Sequence, residues 1–111
     1  MFSVYKEFKM KIKSTRFLGL KVIQSKRFVD YRGFFKEDYK KKLLKKINFV
    51  FACTSSSKKN VIRGMHLQTR FSQGKYVSVL KGAILDVAID LRKNSKTYGK
   101  HFKIILSDQN S

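Results

Sequence analysis

The sequence predicts a mainly β domain, an antiparallel sheet curling toward a barrel. Three observations carry that expectation: the apolar runs are short, turn-forming clusters of Gly, Asn, Asp and Ser punctuate them, and only one segment has helical spacing. A chain of 111 residues makes one small domain, and a content of 42% hydrophobic and 14% aromatic residues suffices for a core, so disorder is not expected. No repeat, linker or low-complexity block interrupts it.

Taken in order, residues 1–9 form a basic, aromatic lead-in. The apolar residues within 17–24 predict a first strand, and Asp30-Tyr31-Arg32-Gly33 has turn chemistry. Residues 37–47 place Tyr39, Leu43 and Ile47 four apart, with Leu44 beside them and lysines elsewhere, which predicts one short amphipathic helix with a wet lysine face. Residues 48–53 read as a short apolar strand and 54–60 as a Ser/Lys/Asn loop. A central strand follows over residues 61–68. Residues 75–80 and 83–91 are expected to pair as a hairpin through Lys81-Gly82, and 102–106 form a last strand. By parity, Asp86 and Asp90 share one face of their strand, opposite Leu85, Val87 and Ile89. Such a face either hydrogen-bonds inside a barrel or meets water.

The net charge is +19, which by itself points toward nucleic acid. Yet 20 of the 26 basic residues are Lys and six are Arg, whereas base reading and bidentate phosphate contacts lean on Arg. The lysines are also scattered, so they read as a solvated surface whose field attracts a nucleotide diphosphate, and nucleic acid is not the expected partner. The single cysteine, Cys53, has no partner for an intrachain disulfide. The longest apolar run, residues 49–53, is far too short to span a bilayer, and no secretory h-region opens the chain, so a cytoplasmic protein without a membrane segment is expected.

The stretch Val61-Ile62-Arg63-Gly64-Met65-His66-Leu67-Gln68, with Lys75 shortly after it, sets an arginine, a glycine and one of two histidines into an apolar run. A polar group there costs free energy unless it has a partner or a role. In a flat strand Arg63 and His66 point to opposite faces, and Gly64 between them marks a bulge or a close backbone approach that would bring both into one cavity. From composition alone, a lone histidine on such a strand is more often a hydrogen-bonded structural residue than a catalyst.

Four blocks, in order, change that reading. The run Ser57-Lys58-Lys59-Asn60-Val61-Ile62-Arg63-Gly64-Met65-His66-Leu67-Gln68 resembles the "SKKNVLRGLHYQ" signature of the dTDP-4-dehydrorhamnose 3,5-epimerases, an RmlC-like cupin family. Phe28-Val29-Asp30-Tyr31-Arg32-Gly33-Phe34-Phe35-Lys36-Glu37 is similar to its "F-x-D-x-R-G-x-F-x-E" segment. Gln73-Gly74-Lys75-Tyr76-Val77 is similar to its "GKLV", and residues 82–99 to its "DVAVDlR" and "SpT" block.

The resemblance implies a cupin fold, a double-stranded β-helix or jelly roll, present here as an incomplete barrel with one short helix. Residues 10–111 would be the N-terminal part of that domain and 1–9 an extension ahead of it. It implies an isomerase that removes the protons at C3 and C5 beside the 4-keto group of dTDP-4-dehydro-6-deoxy-D-glucose and returns them on the opposite faces. His66 falls on the family's general base. Lys75 and Arg63 correspond to cations that hold the substrate near the developing negative oxygen. Arg32 and Glu37 match positions that grip the nucleotide, reaching across from the neighbouring subunit of a homodimer, and Phe28 matches a substrate-binding aromatic in the same segment. No cofactor is implied. Gln68 stands where metal-binding cupins carry a second histidine, so no metal is expected. His101 reads as structural or exposed.

Departures from the pattern keep rivals open. Phe51 and Cys53 stand where the family carries Gln and Asn against substrate, and Lys96 occupies the proline of "SPT". The closing Leu106-Ser107-Asp108-Gln109-Asn110-Ser111 resembles the family's "LSxxN", with the "HGF" histidine, the reprotonating tyrosine and the acidic residue orienting the base all lying beyond it. A truncated epimerase is therefore the expectation. The alternatives are a single-centre epimerase or isomerase of another nucleotide sugar, a non-catalytic cupin remnant kept for binding, and a basic nucleic-acid-binding protein.

Overall fold

The computed structural model describes residues 10–110, and the lead-in at 1–9 lies outside the described residues. Among the described residues, six strands form three antiparallel hairpins: β1 (Lys11–Ser14) with β2 (Lys21–Gln24), β3 (Phe28–Asp30) with β4 (Gly33–Phe35), and β5 (Ala83–Ile89) with β6 (His101–Ser107). The chain divides into two units, one made of the described residues 10–39 and 78–110, the other of residues 40–77.

In the first unit, the expected strand over 17–24 splits. Its last four residues are β2, and its first four close the β1–β2 hairpin. Thr15 makes that turn, since its Oγ1 donates to the carbonyl of Leu20 at 2.9 Å and accepts the amide of Phe17 at 3.1 Å. Gly19 sits at φ +88°, a conformation that a side chain would disfavour. Phe17, only 4% exposed, meets Phe102 of β6 edge-on at 6.3 Å. Burying a ring of that size contributes about 1.5–3 kcal/mol. Two arginines fasten the same turn: Arg16 donates to the carbonyl of His101 at 2.8 Å, and Arg92 to that of Leu18 at 2.8 Å.

β5 runs seven residues, apolar but for Asp86, and its partner is not the expected one. It pairs with β6 from Ala83↔Ser107 to Ile89↔His101, while residues 75–80 form no strand. The reason lies in the connection. Asp90, just past β5, accepts from Arg92 Nε at 2.8 Å, Arg92 Nη2 at 2.8 Å, Ser95 Oγ at 2.6 Å and Thr97 Oγ1 at 2.6 Å. Those bonds fold residues 91–100 into a tight return that delivers β6 to β5. At the other end Gly82, expected in a hairpin turn, receives the amide of Asp108 on its carbonyl at 3.1 Å.

The second unit is where sequence and structure part. The helix expected over 37–47 reduces to one 3-10 turn, Lys41–Leu44. Lys40 supplies no side-chain cap, no acidic residue stands in the first turn, and Lys41–Lys45 and Lys42–Lys46 put like charges four apart. Residues 48–53 and 61–68 form no strand either. Strand is a pairing property, and among the described residues neither run has a partner whose backbone groups could satisfy its own. Phe49 packs edge-on against Tyr76 at 5.9 Å and joins the two ends of the unit.

Candidate functional site

The candidate residues fall into two groups, one in each unit, and each group is built differently.

Phe28, Arg32 and Glu37 belong to the first unit. The register Asp30↔Gly33 leaves Tyr31 and Arg32 as the turn between β3 and β4, with Gly33 at φ +134°. Asp30 holds that turn. Its Oδ1 accepts the amide of Arg32 at 2.8 Å, and its Oδ2 accepts Arg32 Nη2 at 2.7 Å. The guanidinium of Arg32 beside it, and then the Arg32 amide, hold the Asp30 carboxyl below the usual carboxylate range. An open concavity of about 430 Å³ is lined by Phe28, Asp30, Arg32, Phe34 and Phe35 among others. Cations already sit over two of these rings: Lys26 Nζ lies 5.1 Å from the centroid of Phe28, and the Arg27 guanidinium 4.0 Å from that of Phe34. Phe28 and Arg32 thus share one concavity. Glu37 lies further along, half-buried, its carbonyl accepting Ser25 Oγ at 2.6 Å.

Arg63, His66 and Lys75 belong to the second unit, in a stretch whose residues 50–75 are all exposed. With no strand there, the parity that would send Arg63 and His66 to opposite faces does not apply. Gly64 adopts φ +112°, and a Cβ placed on it would lie 3.7 Å from the His66 amide nitrogen and 4.0 Å from its Nδ1. The imidazole therefore lies within van der Waals reach of the space that a side chain at this position would fill. Glycine is required by the backbone angle, since a left-handed L residue costs about 1–2 kcal/mol. Arg63 turns back on the preceding loop: Nε donates to Ser57 Oγ at 2.8 Å and Nη2 to the Ser56 carbonyl at 2.8 Å. Lys75 precedes Tyr76, whose ring is fixed against Phe49. Among the described residues, no hydrogen bond or ion pair joins Arg63, His66 and Lys75 to one another, and the side chains of His66 and Lys75 enter none.

Two residues escaped the sequence reading as partners of the site. Asp30 fixes Arg32, a pairing signalled by an Asp-x-Arg spacing across a turn. Ser57 holds Arg63 from six residues upstream, and no spacing rule for an irregular loop would have found it. Asp90, by contrast, is a buried carboxylate serving the fold, with Arg92, then Ser95 and Thr97, holding its carboxyl far below the usual range. Among the described residues no three of His, Cys, Asp and Glu gather as a metal cage requires, and no helix is long and apolar enough to cross a membrane.

Short antiparallel hairpins, with cations and one imidazole carried on the turns and loops between them, make this a mainly β chain with its candidate residues outside the strands' regular pairing. The family model for dTDP-4-dehydrorhamnose 3,5-epimerase matches residues 14–111, and the chain belongs to that family. It is 41% identical over 96 residues to the dTDP-4-dehydrorhamnose 3,5-epimerase of Methanothermobacter thermautotrophicus, covering 83% of this chain and 52% of that protein. With the Escherichia coli protein of the same name it shares 36% over 107 residues, covering 91% and 58%. A crystal structure of the Legionella pneumophila epimerase RmlC, in complex with dTDP-4-keto-L-rhamnose, matches with a TM-score of 0.84 at 42% identity, covering 93% of this chain and 57% of that one. The Sulfolobus tokodaii epimerase matches with a TM-score of 0.79 at 40% identity, covering 91% and 59%. The fold is therefore RmlC-like, and the chain spans about half the length of the curated relatives it matches.

Proposed function

We propose that this chain carries the proton-abstracting half of a dTDP-4-dehydrorhamnose 3,5-epimerase site. A carbon acid beside a ketone loses its proton only when a base is in reach and the enolate oxygen meets positive charge. His66 is the base, its imidazole nitrogen accepting the proton from carbon. Lys75 and Arg63 hold the substrate and face the developing oxyanion. Phe28, Arg32 and Glu37 take the nucleotide, with Phe28 offering a ring face and Arg32 a guanidinium. The protein forms a homodimer, residues 10–111 contribute the N-terminal part of one cupin domain, and it acts in the cytoplasm.

The observation that carries this reading is the family match over residues 14–111, a span that contains all six residues. The basic field of the chain supports it by raising the local concentration of an anionic diphosphate. The test is incubation with dTDP-4-dehydro-6-deoxy-D-glucose in deuterated water, following C3 and C5 by NMR. Exchange at both positions is expected. Exchange at one supports a single-centre epimerase, and saturable dTDP binding without exchange supports a binding remnant. Salt-sensitive binding of DNA or RNA with no dTDP affinity would overturn the reading.

A further inference from the structure

A guanidinium has two edges that grip an oxyanion through two parallel hydrogen bonds, one formed by Nε with Nη2 and the other by Nη1 with Nη2. In Arg63 the first edge is already occupied from within the chain, by Ser57 Oγ on Nε and the Ser56 carbonyl on Nη2, both at 2.8 Å. Everything around it is exposed, so packing gives this long side chain no orientation. The two bonds do.

We infer that Ser57 is a positioning residue for Arg63. Its hydroxyl, with the adjacent carbonyl, clamps the guanidinium by one edge and turns the Nη1–Nη2 end outward, ready to take an oxyanion of the substrate, for which the diphosphate of dTDP serves as the probe. A flexible arginine loses rotamer freedom when it captures an anion, and one clamped beforehand has already lost it. Removing the hydroxyl leaves a single bond, from Nη2 to Ser56, about which the fork swings. Serine suits the place because it accepts from Nε and is short enough not to cover the outer edge. The inference rests on the reading of Arg63 as a substrate contact.

The test compares the wild-type chain with Ser57→Ala, Ser57→Thr and Arg63→Ala, using dTDP as the ligand and the ¹⁵Nε–¹H resonance of Arg63 as an independent reporter. Arg63→Ala identifies that resonance by its loss. Wild type and Ser57→Thr are expected to show it slowed in exchange with water, and Ser57→Ala to lose that protection and bind dTDP about five- to tenfold more weakly, with Ser57→Thr near wild type. The position is exposed, so the melting temperature should not move. Unchanged dTDP affinity in Ser57→Ala beside weakened affinity in Arg63→Ala would overturn the inference. If the wild type binds no dTDP, the functional reading fails. The resonance then decides the clamp on its own, an unprotected wild-type Nε–H refuting it.

Discussion

The β5–β6 hairpin and the loop from Thr54 to Lys75 both carry charged residues inside family motifs, and they use them in opposite ways. In the hairpin, Asp90 is 5% exposed and its two carboxylate oxygens receive Arg92, Ser95 and Thr97. Every lone pair so engaged helps fold the return from β5 to β6, and none is left for chemistry. In the loop, His66 and Lys75 engage no neighbour through their side chains among the described residues, and Arg63 is engaged along one edge only. A charge the fold has satisfied is structural, whereas an exposed charge held beside a backbone that only glycine permits is available to a ligand.

The largest effect expected from that contrast is at His66. Replacing it with Asn should slow deuterium exchange at C3 and C5 on the order of a hundred- to ten-thousand-fold, with the melting temperature unchanged. If exchange persists at the wild-type rate, His66 is not the base.

Asp90→Asn is the mirror experiment. It leaves the shape but weakens the hold on Arg92, and it should lower the melting temperature by on the order of 10 °C. Calorimetry decides this, and an unchanged melting temperature would place Asp90 on the wrong side of the comparison.

Acid sharpens the same point. Because the folded state holds the Asp90 carboxyl below its unfolded value, its contribution is complete above about pH 4 and is lost as pH falls from there toward the lower folded value. The stability gap between wild type and Asp90→Asn should therefore narrow below about pH 4 and stay constant from pH 5 to 8. A gap that widens with acid would reverse the assigned sign.

The smallest effect concerns Asp30, whose pairing with Arg32 is exposed to solvent. Asp30→Ala should leave the melting temperature within error, since exposed pairs contribute little, yet weaken dTDP binding a few-fold by freeing the Arg32 fork. Titration calorimetry separates the two outcomes.

Legibility in the sequence followed the same division. The strands expected over 83–91 and 102–106 were readable because short runs rich in apolar and β-branched residues, broken only by single charged positions such as Asp86 and Lys103, have few other uses in so short a chain. The turn at Asp30 to Gly33 was readable because Asp and Gly there serve a local geometry, now seen in the Asp30 bond to the Arg32 amide and the positive φ of Gly33. The pairing of β5 was not readable. Residues 75–80 carry Tyr76, Val77, Val79 and Leu80, a composition that suits a strand, whereas the side-chain knot at Asp90 that returns β6 onto β5 is encoded by no periodicity. The run around His66 misled for a related reason: its apolar pattern is that of a strand, but with no paired neighbour the backbone stays irregular. The identity of the site residues came from motif resemblance. Their local supports, Asp30 and Ser57, became visible only in coordinates.

Amide hydrogen exchange measured with and without dTDP tests the division between fold-bearing and ligand-facing charge most directly. Without ligand, residues 83–89 and 101–107 should be protected and 54–75 should exchange freely. On saturation with dTDP, protection should rise across the segment holding Ser57, Arg63 and His66 and stay level in the hairpin. A loop already protected in the free chain, or one unmoved by saturating dTDP, would contradict the account.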